Sequence, residues 1–289
     1  MSQQLIRIAA AQYPIDYFGS EQDFHAKLAA WVAEAAPQAE LLLFPEYAAL
    51  ELCSLLPTAV QGDLHRQLEQ LQAFLPLFLA SHQALARQYR VTLVAGSFPV
   101  RLAGGRYVNR AHVIHPDGGI DYQDKQIMTR FEREAWLISP GTDCGVRVID
   151  TAVGKVGISI CYDAEFPLIA RRQVELGAEI LLVPSVTETV AGYYRVRIGS
   201  QARALENQCY VVHAPLVGEA LWSPAVDVSR GRAGVYTPVD QGFPADGVLV
   251  QGEMDQSGWI YASLDMTRMR AVRQSGTVLN YQDWAKQLC

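Results

Sequence analysis

The stretch from Val156 to Ser185, VGISICYDAEFPLIARRQVELGAEILLVPS, constrains this chain more than any other. Val156, Ile158 and Ile160 are apolar and separated by short residues, the pattern of a buried strand. Cys161-Tyr162-Asp163 forms a polar corner, and Pro167 suits the first turn of a helix, where its missing N–H is not needed. Leu168, Ile169, Val174 and Leu176 supply an apolar stripe, Arg171 and Arg172 a solvated side, and Gly177 a stop. Ile180 to Val183 is a second, wholly apolar strand ended by Pro184. A strand, a helix and a strand at this spacing predict a right-handed crossover in a largely parallel region. The Cys161 thiol then lies at the carboxyl end of a buried strand, where open α/β sheets place ligands. A free cysteine is also a common small core residue, so this stretch alone leaves Cys161 open between core residue and nucleophile.

Composition narrows the function classes. Half of the 289 residues are hydrophobic and 19% are charged, which is ordinary globular material able to bury a sizeable core. A net charge of −6 argues against general affinity for nucleic acid or an anionic membrane. No apolar run approaches the ~18 residues of a membrane span, and the N-terminal MSQQLIRIAAAQYP lacks the pattern of a signal peptide. Five cysteines (53, 144, 161, 209 and 289) show no CxxC pairing, and the six histidines are dispersed. A disulfide framework or structural zinc is not expected, and a reducing cytoplasm is the natural compartment.

No repeat, low-complexity tract or linker interrupts the chain, so one domain over residues 1–289 is the simplest reading. Leu5 to Ala11 reads as a strand, Phe24 to Ala36 as an amphipathic helix, and Leu41 to Phe44 as a short buried strand ending in Pro45-Glu46-Tyr47. Asp63 to Tyr89 is helical in pattern, kinked or split by Pro76. Val91 to Gly96 is the next strand. Glycine turns bracket Tyr107 to Ile114, and the following strand, Ile120 to Asp124, delivers Lys125. A polar loop from Gln126 to Cys144 precedes a hairpin that leads into Cys161. Beyond Ser185 a loop rich in Thr and Gly leads to a helix from Arg195 to Glu206, a strand from Cys209 to His213, and a terminal helix near Met266 to Val272. Alternating strands and helices with hairpins predict a layered α/β fold.

Glu46, Lys125 and Cys161 now share one description, each at the end of a predicted strand. A thiol needs a base to become nucleophilic, and a carboxylate with a raised pKa can serve. A carbonyl under attack needs positive charge near its oxygen, which an ammonium and a backbone N–H can provide. Base, oxyanion stabiliser and nucleophile are present without histidine. Taken singly, Glu46 could be a turn residue and Lys125 a solvated strand end.

The three segments together resemble the nitrilase superfamily of carbon–nitrogen hydrolases. Leu43-Phe44-Pro45-Glu46 is similar to the family's glutamate motif, Tyr122-Gln123-Asp124-Lys125 to its lysine motif, and Gly157-Ile158-Ser159-Ile160-Cys161-Tyr162-Asp163 to its cysteine motif. Ala202-Arg203-Ala204-Leu205-Glu206-Asn207 resembles the helix that usually follows, while Asn280-Tyr281-Gln282-Asp283-Trp284 has no assignment. The resemblance implies an αββα sandwich that dimerises through helices into an αββα–αββα stack, here a homodimer or higher homo-oligomer. It implies Cys161 as nucleophile, Glu46 as general base and acid, Lys125 with the Tyr162 N–H as oxyanion site, and a thioester on Cys161 that water hydrolyses. A second glutamate after the lysine helps position substrate; Glu132 is preferred over Glu134. No metal or organic cofactor is implied, and the partner is a small-molecule amide.

Tyr-Asp after the cysteine resembles amidase branches of the family, whereas true nitrilases tend to carry Trp-Glu. Where omega-amidase-like members place a basic residue, this chain has Glu165. Facing the pocket, Glu165 would repel a substrate carboxylate and favour an amine-bearing or neutral amide. It could equally be a helix N-terminal acid or an internal ion-pair partner. Arg195 and Arg197 leave an anionic substrate open, Tyr193 and Tyr194 could wall the pocket, and His213 reads as a core or supporting residue. The expected activity is cleavage of a small linear amide or carbamoyl compound. Alternatives are nitrile hydrolysis or acyl transfer by the same thioester chemistry, or a catalytically silent scaffold.

Overall fold

The computed structural model describes residues 4–141 and 145–288, so Cys144 and Cys289 lie outside the described residues. In chain order the first half comprises β1 (Leu5–Pro14), α1 (Glu21–Ala35), β2 (Leu41–Leu43), α2 (Leu64–Leu71), α3 (Leu75–Tyr89), β3 (Thr92–Arg101), β4 (Tyr107–Ile114) and β5 (Ile120–Asp124). Next come α4 (Arg130–Glu134), β6 (Ile138–Ser139), β7 (Val148–Thr151), β8 (Gly154–Ile158), α5 (Pro167–Glu175), β9 (Ile180–Ser185) and α6 (Val190–Asn207). The remainder is β10 (Tyr210–Glu219), β11 (Val228–Ser229), β12 (Gly234–Tyr236), β13 (Val248–Gln251), β14 (Gly258–Asp265), α7 (Met266–Ser275) and α8 (Asn280–Asp283).

The strands follow one path, β5-β4-β3-β2-β1-β10-β9-β8-β7, which folds into two facing sheets at β1. Over Leu5 to Gln12 β1 pairs with β14, and Ile8 to Ala10 pair with β2 on its other side. It reaches β10 only through Tyr13 and Pro14. The period-two rule of a strand then sorts the core. Ala9, Ala11, Tyr13 and Leu42 join Phe24, Leu28 and Val32 of α1 and Phe78 and Leu85 of α3 in one apolar cluster. The alternate residues Ile6, Ile8, Ala10, Leu41 and Leu43 join Ile158, Leu182 and Val212 of the second sheet, with Ala170 and Val174 of α5 and Val196 of α6. Helices α1 and α3, two sheets, and helices α5 and α6 make the four layers of an αββα sandwich.

Several local boundaries differ from those read in the sequence. The helical stretch after Asp63 does break, at a 3-10 turn over Gln72–Phe74, and Pro76 occupies the first turn of α3, where proline is tolerated. Helix α6 starts at Val190, five residues before the expected Arg195, because the Thr189 side chain caps it by accepting from the Gly192 N–H at 3.0 Å. Pro184 lies inside β9. Its neighbour β8 ends at Ile158, opposite Leu182, so no ladder partner on that side calls for the missing N–H. The expected loop after Lys125 contains α4 and β6. No described helix is long and apolar enough to cross a membrane.

Candidate active site

Three chain corners converge at the carboxyl ends of β2, β5 and β8. At the first, Pro45-Glu46-Tyr47 turns sharply into a 3-10 helix over Ala48–Leu55, with Tyr47 at φ 57°. The turn is held by a bulge in β3. Gly96 has φ 69°, and a Cβ there would sit 2.0 Å from the Pro45 carbonyl oxygen, so only glycine lets β3 run this close. Next to it, Ser97 Oγ accepts from the Tyr47 N–H at 2.9 Å.

At the second corner, β5 ends and Lys125 turns inward, its N–H donating to the Asn109 carbonyl of β4 at 2.9 Å. At the third, β8 runs into a 3-10 turn over Cys161–Glu165, with Cys161 at φ 49°. This left-handed backbone is strained for a side chain with a Cβ, and such strain concentrates at functional sites. Neighbours hold it in place. The Asp163 carboxylate accepts from the Gln126 and Ile127 N–H groups, at 3.1 and 2.8 Å, stapling this corner to the Lys125 loop. Gly199 lets α6 pack on the turn, since a Cβ there would lie 2.7 Å from the Ala164 oxygen. That same oxygen accepts from Arg203 Nη1 at 2.9 Å.

These corners bring Glu46, Lys125, Cys161 and Glu132 to one cavity of about 500 Å³, with Tyr162, Glu165 and Arg195 also on its wall. Lys125 Nζ donates to Glu46 Oε1 at 2.8 Å and to Glu132 Oε2 at 2.7 Å, and all three side chains are buried. Glu132 is saturated. Its Oε2 also accepts from the N–H and hydroxyl of Thr129, each at 2.9 Å, and its Oε1 from the Tyr47 hydroxyl at 2.8 Å and Asn109 Nδ2 at 3.4 Å. Glu46 Oε1 accepts from Lys125 and from Asn109 Nδ2 at 2.8 Å. Glu46 Oε2 accepts the Val186 N–H at 3.0 Å, while the Val186 carbonyl accepts the Cys161 thiol at 3.4 Å. The thiol is also a hydrogen-bond partner of Glu46.

The surroundings push these groups apart. Burial raises Glu46 above the usual carboxylate range, opposed by the Lys125 charge. Burial would raise Glu132 too, but Lys125, the Thr129 N–H and the Tyr47 hydroxyl outweigh it and hold that carboxyl low. Burial works against the Lys125 charge, yet Glu132 and Glu46 overcome it and keep the ammonium protonated well above the ordinary lysine value. Burial and the Glu46 charge hold Cys161 well above a free thiol, so at rest it is a thiol, not a thiolate. Burial also pushes Asp163 up to about 7.

Other expected residues fall elsewhere. Glu134 is exposed and ion-paired with Arg130 at 2.7 Å, away from Lys125. Glu165 lines the cavity and lies 3.4 Å from Nε of the exposed Arg195. Tyr193 is buried with its hydroxyl accepting from Arg232 at 3.0 Å, and neither it, Tyr194 nor Arg197 forms the wall. His213 is a buried core residue sharing a 2.6 Å hydrogen bond with Ser185, the neighbour of Val186. Tyr47, Asn109, Thr129 and Val186 are the contacts that sequence reasoning passed over. Among the described residues, no group of three or more His, Cys, Asp or Glu is arranged to hold a metal ion.

Comparison with known proteins shows the family. The profile described as carbon-nitrogen hydrolase matches residues 7–274. The probable hydrolase YhcX of Bacillus subtilis (strain 168) is 34% identical over 96% of this chain and 53% of its own length, so the chain spans about half of that relative. The deaminated glutathione amidase of Synechocystis sp. (strain PCC 6803 / GT-S) is 27% identical over 78% of this chain and 82% of that protein. The carbon-nitrogen hydrolase of Helicobacter pylori G27 shares the fold, with a TM-score of 0.74 over 93% of this chain and 92% of that one at 24% identity. The chain therefore belongs to the carbon–nitrogen hydrolase family.

Proposed function

We propose that the protein is a thiol amidohydrolase that cleaves a small linear amide or carbamoyl compound through a thioester on Cys161. One observation carries the reading: a lysine clamped between two buried carboxylates beside a strained cysteine, at the wall of a cavity. Two carboxyls whose surroundings drive their pKa values apart divide the labour. Glu132, with every lone pair engaged, is a fixed counter-charge that positions Lys125. Glu46, raised and with one accepting site free, moves protons.

In the first half-reaction Sγ attacks the amide carbon as its proton passes to Glu46, forming the carbon–sulfur bond. Lys125 has three N–H donors and spends two on the carboxylates, so the third faces the oxyanion. Tyr162 is the second residue of its 3-10 turn, where backbone N–H groups lack a partner within the turn, and it supplies the other donor. The tetrahedral species collapses, the carbon–nitrogen bond breaks, and Glu46 gives its proton to the leaving nitrogen. Water then attacks the thioester while Glu46 takes one of its protons. Collapse expels the sulfur, Glu46 returns the proton to it, and the carboxylic acid leaves.

The Glu165–Arg195 pair offers the pocket one group of each sign, which fits an uncharged or zwitterionic amide better than a singly charged one. Residues 1–289 read as one hydrolase domain. The free thiols of Cys53, Cys161 and Cys209 support a reducing cytoplasm. The exposed stripe of Tyr194, Ile198 and Leu205 on α6, with Leu168 on the adjoining α5, supports a homodimer joined through these helices.

The test is ammonia release from a panel of small amides and ureido compounds, in neutral, amine-bearing, carboxylate-bearing and zwitterionic arms. Turnover that Cys161→Ala abolishes is the expected result. Turnover that survives Cys161→Ala would refute the thiol mechanism, and turnover confined to a singly charged arm would overturn the reading of the Glu165–Arg195 pair.

A further inference from the structure

Asn109 stands in the middle of β4 with no exposed surface, and its side chain reaches into the gap between the two carboxylates. Nδ2 donates to Glu46 Oε1 at 2.8 Å and to Glu132 Oε1 at 3.4 Å, while Oδ1 is buried with no hydrogen-bond partner among the described residues. A buried, unpaired amide oxygen is a burden on folding. The side chain is therefore held by its NH2 group alone, which argues that its donors serve the site more than the core. Its backbone does a separate task, since the Asn109 carbonyl receives the Lys125 N–H.

The acceptor count on Glu46 gives those donors a meaning. A carboxylate oxygen has two lone-pair sites, and a third donor, as on Glu132 Oε2, must share one of them. On Oε1 both are filled, one by Lys125 and one by Asn109. On Oε2 one is filled by the Val186 N–H, and the carbonyl of the same residue receives the Cys161 thiol, so the empty site lies on the cysteine side. We propose that Asn109 is a positioning residue that selects which oxygen of Glu46 takes the Cys161 proton: by closing Oε1 together with Lys125, it leaves Oε2 as the base. The step is a balanced exchange, in which the S–H bond breaks, an O–H bond forms on Oε2, and the negative charge passes from carboxylate to sulfur. By donating to the ionised carboxylate, Asn109 also keeps Glu46 deprotonated to lower pH than burial alone would allow.

The other titratable groups that face Glu46 are Lys125 from the end of β5, Glu132 from α4, Tyr47 beside it and Cys161 on the opposite corner; all four stay in place when Asn109 is replaced, and Glu132 loses only its long 3.4 Å contact with Asn109 Nδ2. The inference rests on Glu46 being the base, so the experiment separates the two. Alkylation of Cys161 by iodoacetamide is followed by mass spectrometry on the full chain across pH, for wild type, Glu46→Gln, Asn109→Leu and Asn109→Ser. Asn109→Leu keeps the branched shape and removes both donors. Asn109→Ser keeps one hydroxyl, and thermal unfolding of each variant reports whether it folds.

If Glu46 is the base, wild-type alkylation falls off along an acidic limb that Glu46→Gln removes, leaving only the limb of the thiol's own ionisation at higher pH; a limb unmoved in Glu46→Gln would overturn that underlying reading. Given the limb, Asn109→Leu is expected to move it upward by about one pH unit, with the rate above it recovering to within about two-fold of wild type. Asn109→Ser is expected to move it the same way by less, and answers the question if the Leu variant does not fold. A limb that stays in place, or a loss uniform across pH, would assign Asn109 a purely structural role and overturn the proposal.

Discussion

At the scale of single residues, the site is governed by how many hydrogen-bond donors meet how many lone pairs. Lys125 is the hub, and removing it leaves two buried carboxylates facing each other across an unpaired gap. Breaking a buried ion pair from one side costs about 3–5 kcal/mol, because the stranded charges keep their desolvation penalty. Lys125→Met is therefore expected to lower unfolding stability by that order in urea titration and to abolish turnover. A variant as stable as wild type would show that the clamp carries no such load. The sequence also held a signal that separates Glu132 from Glu134. Thr129-Arg130-Phe131-Glu132 is a capping box, and the box is formed in both directions, placing Glu132 on the first turn of α4 facing inward. Asn109 and Val186 carried no such signal. Asn109 acts across from β4, and Val186 contributes only its backbone, which residue type does not reveal.

Among the elements, the strands and the crossover around Cys161 were legible because apolar runs and glycine stops are local. The corners that aim the side chains were not, since they depend on contacts distant in sequence. Gly96 was read as a strand end, yet it lies within β3, where its positive φ and close approach to Pro45 set the Glu46 turn. Gly96→Ala is expected to destabilise the fold by at least about 1–3 kcal/mol in urea titration and to reduce turnover more than ten-fold by shifting Glu46. Full activity in that variant would mean the Glu46 corner does not rely on the bulge. The unassigned Asn280-Tyr281 segment is another long-range case. It forms α8, whose Tyr281 ring lies 5.2 Å from the Arg171 guanidinium and 4.6 Å from that of Arg273, tying the chain end to α5 and α7.

On the scale of the whole molecule, the layer order follows from period-two strands facing helices on one side and a second sheet on the other; pattern alone reached a layered α/β fold, and the αββα order came from the family resemblance. Quaternary structure lies beyond the single chain, and the α5–α6 stripe makes it testable. Ile198 is 58% exposed in the middle of that stripe. Ile198→Glu is expected to convert a dimer to monomer in light scattering after gel filtration, and an unchanged mass would place the interface elsewhere.

The buried histidines set the acid sensitivity of the fold. Burial lowers His213 from 6.5 to about 3, so the unfolded chain takes up its proton first as pH falls. The stabilisation is complete above pH 6.5 and drains away toward pH 3, at about 1.4 kcal/mol per pH unit for one proton. His82, near 4, and His112, near 3, act in the same sense. Glu51 and Asp163, both raised to about 7, act in the opposite sense as pH rises, and they cancel when variants are compared. In urea titrations between those limits, His213→Gln is expected to lose one proton's worth of that slope, and an unchanged slope would mean His213 titrates normally in the fold.

The central claim is a covalent acyl intermediate on Cys161, and the most direct measurement is intact mass during turnover. An amide that releases ammonia is mixed with the enzyme and quenched in acid at intervals. The account predicts a species heavier by the mass of the acyl group, localised to the Cys161 peptide, removed by hydroxylamine and missing in Cys161→Ala. Ammonia release with no adduct on Cys161, undiminished in Cys161→Ala, would contradict it.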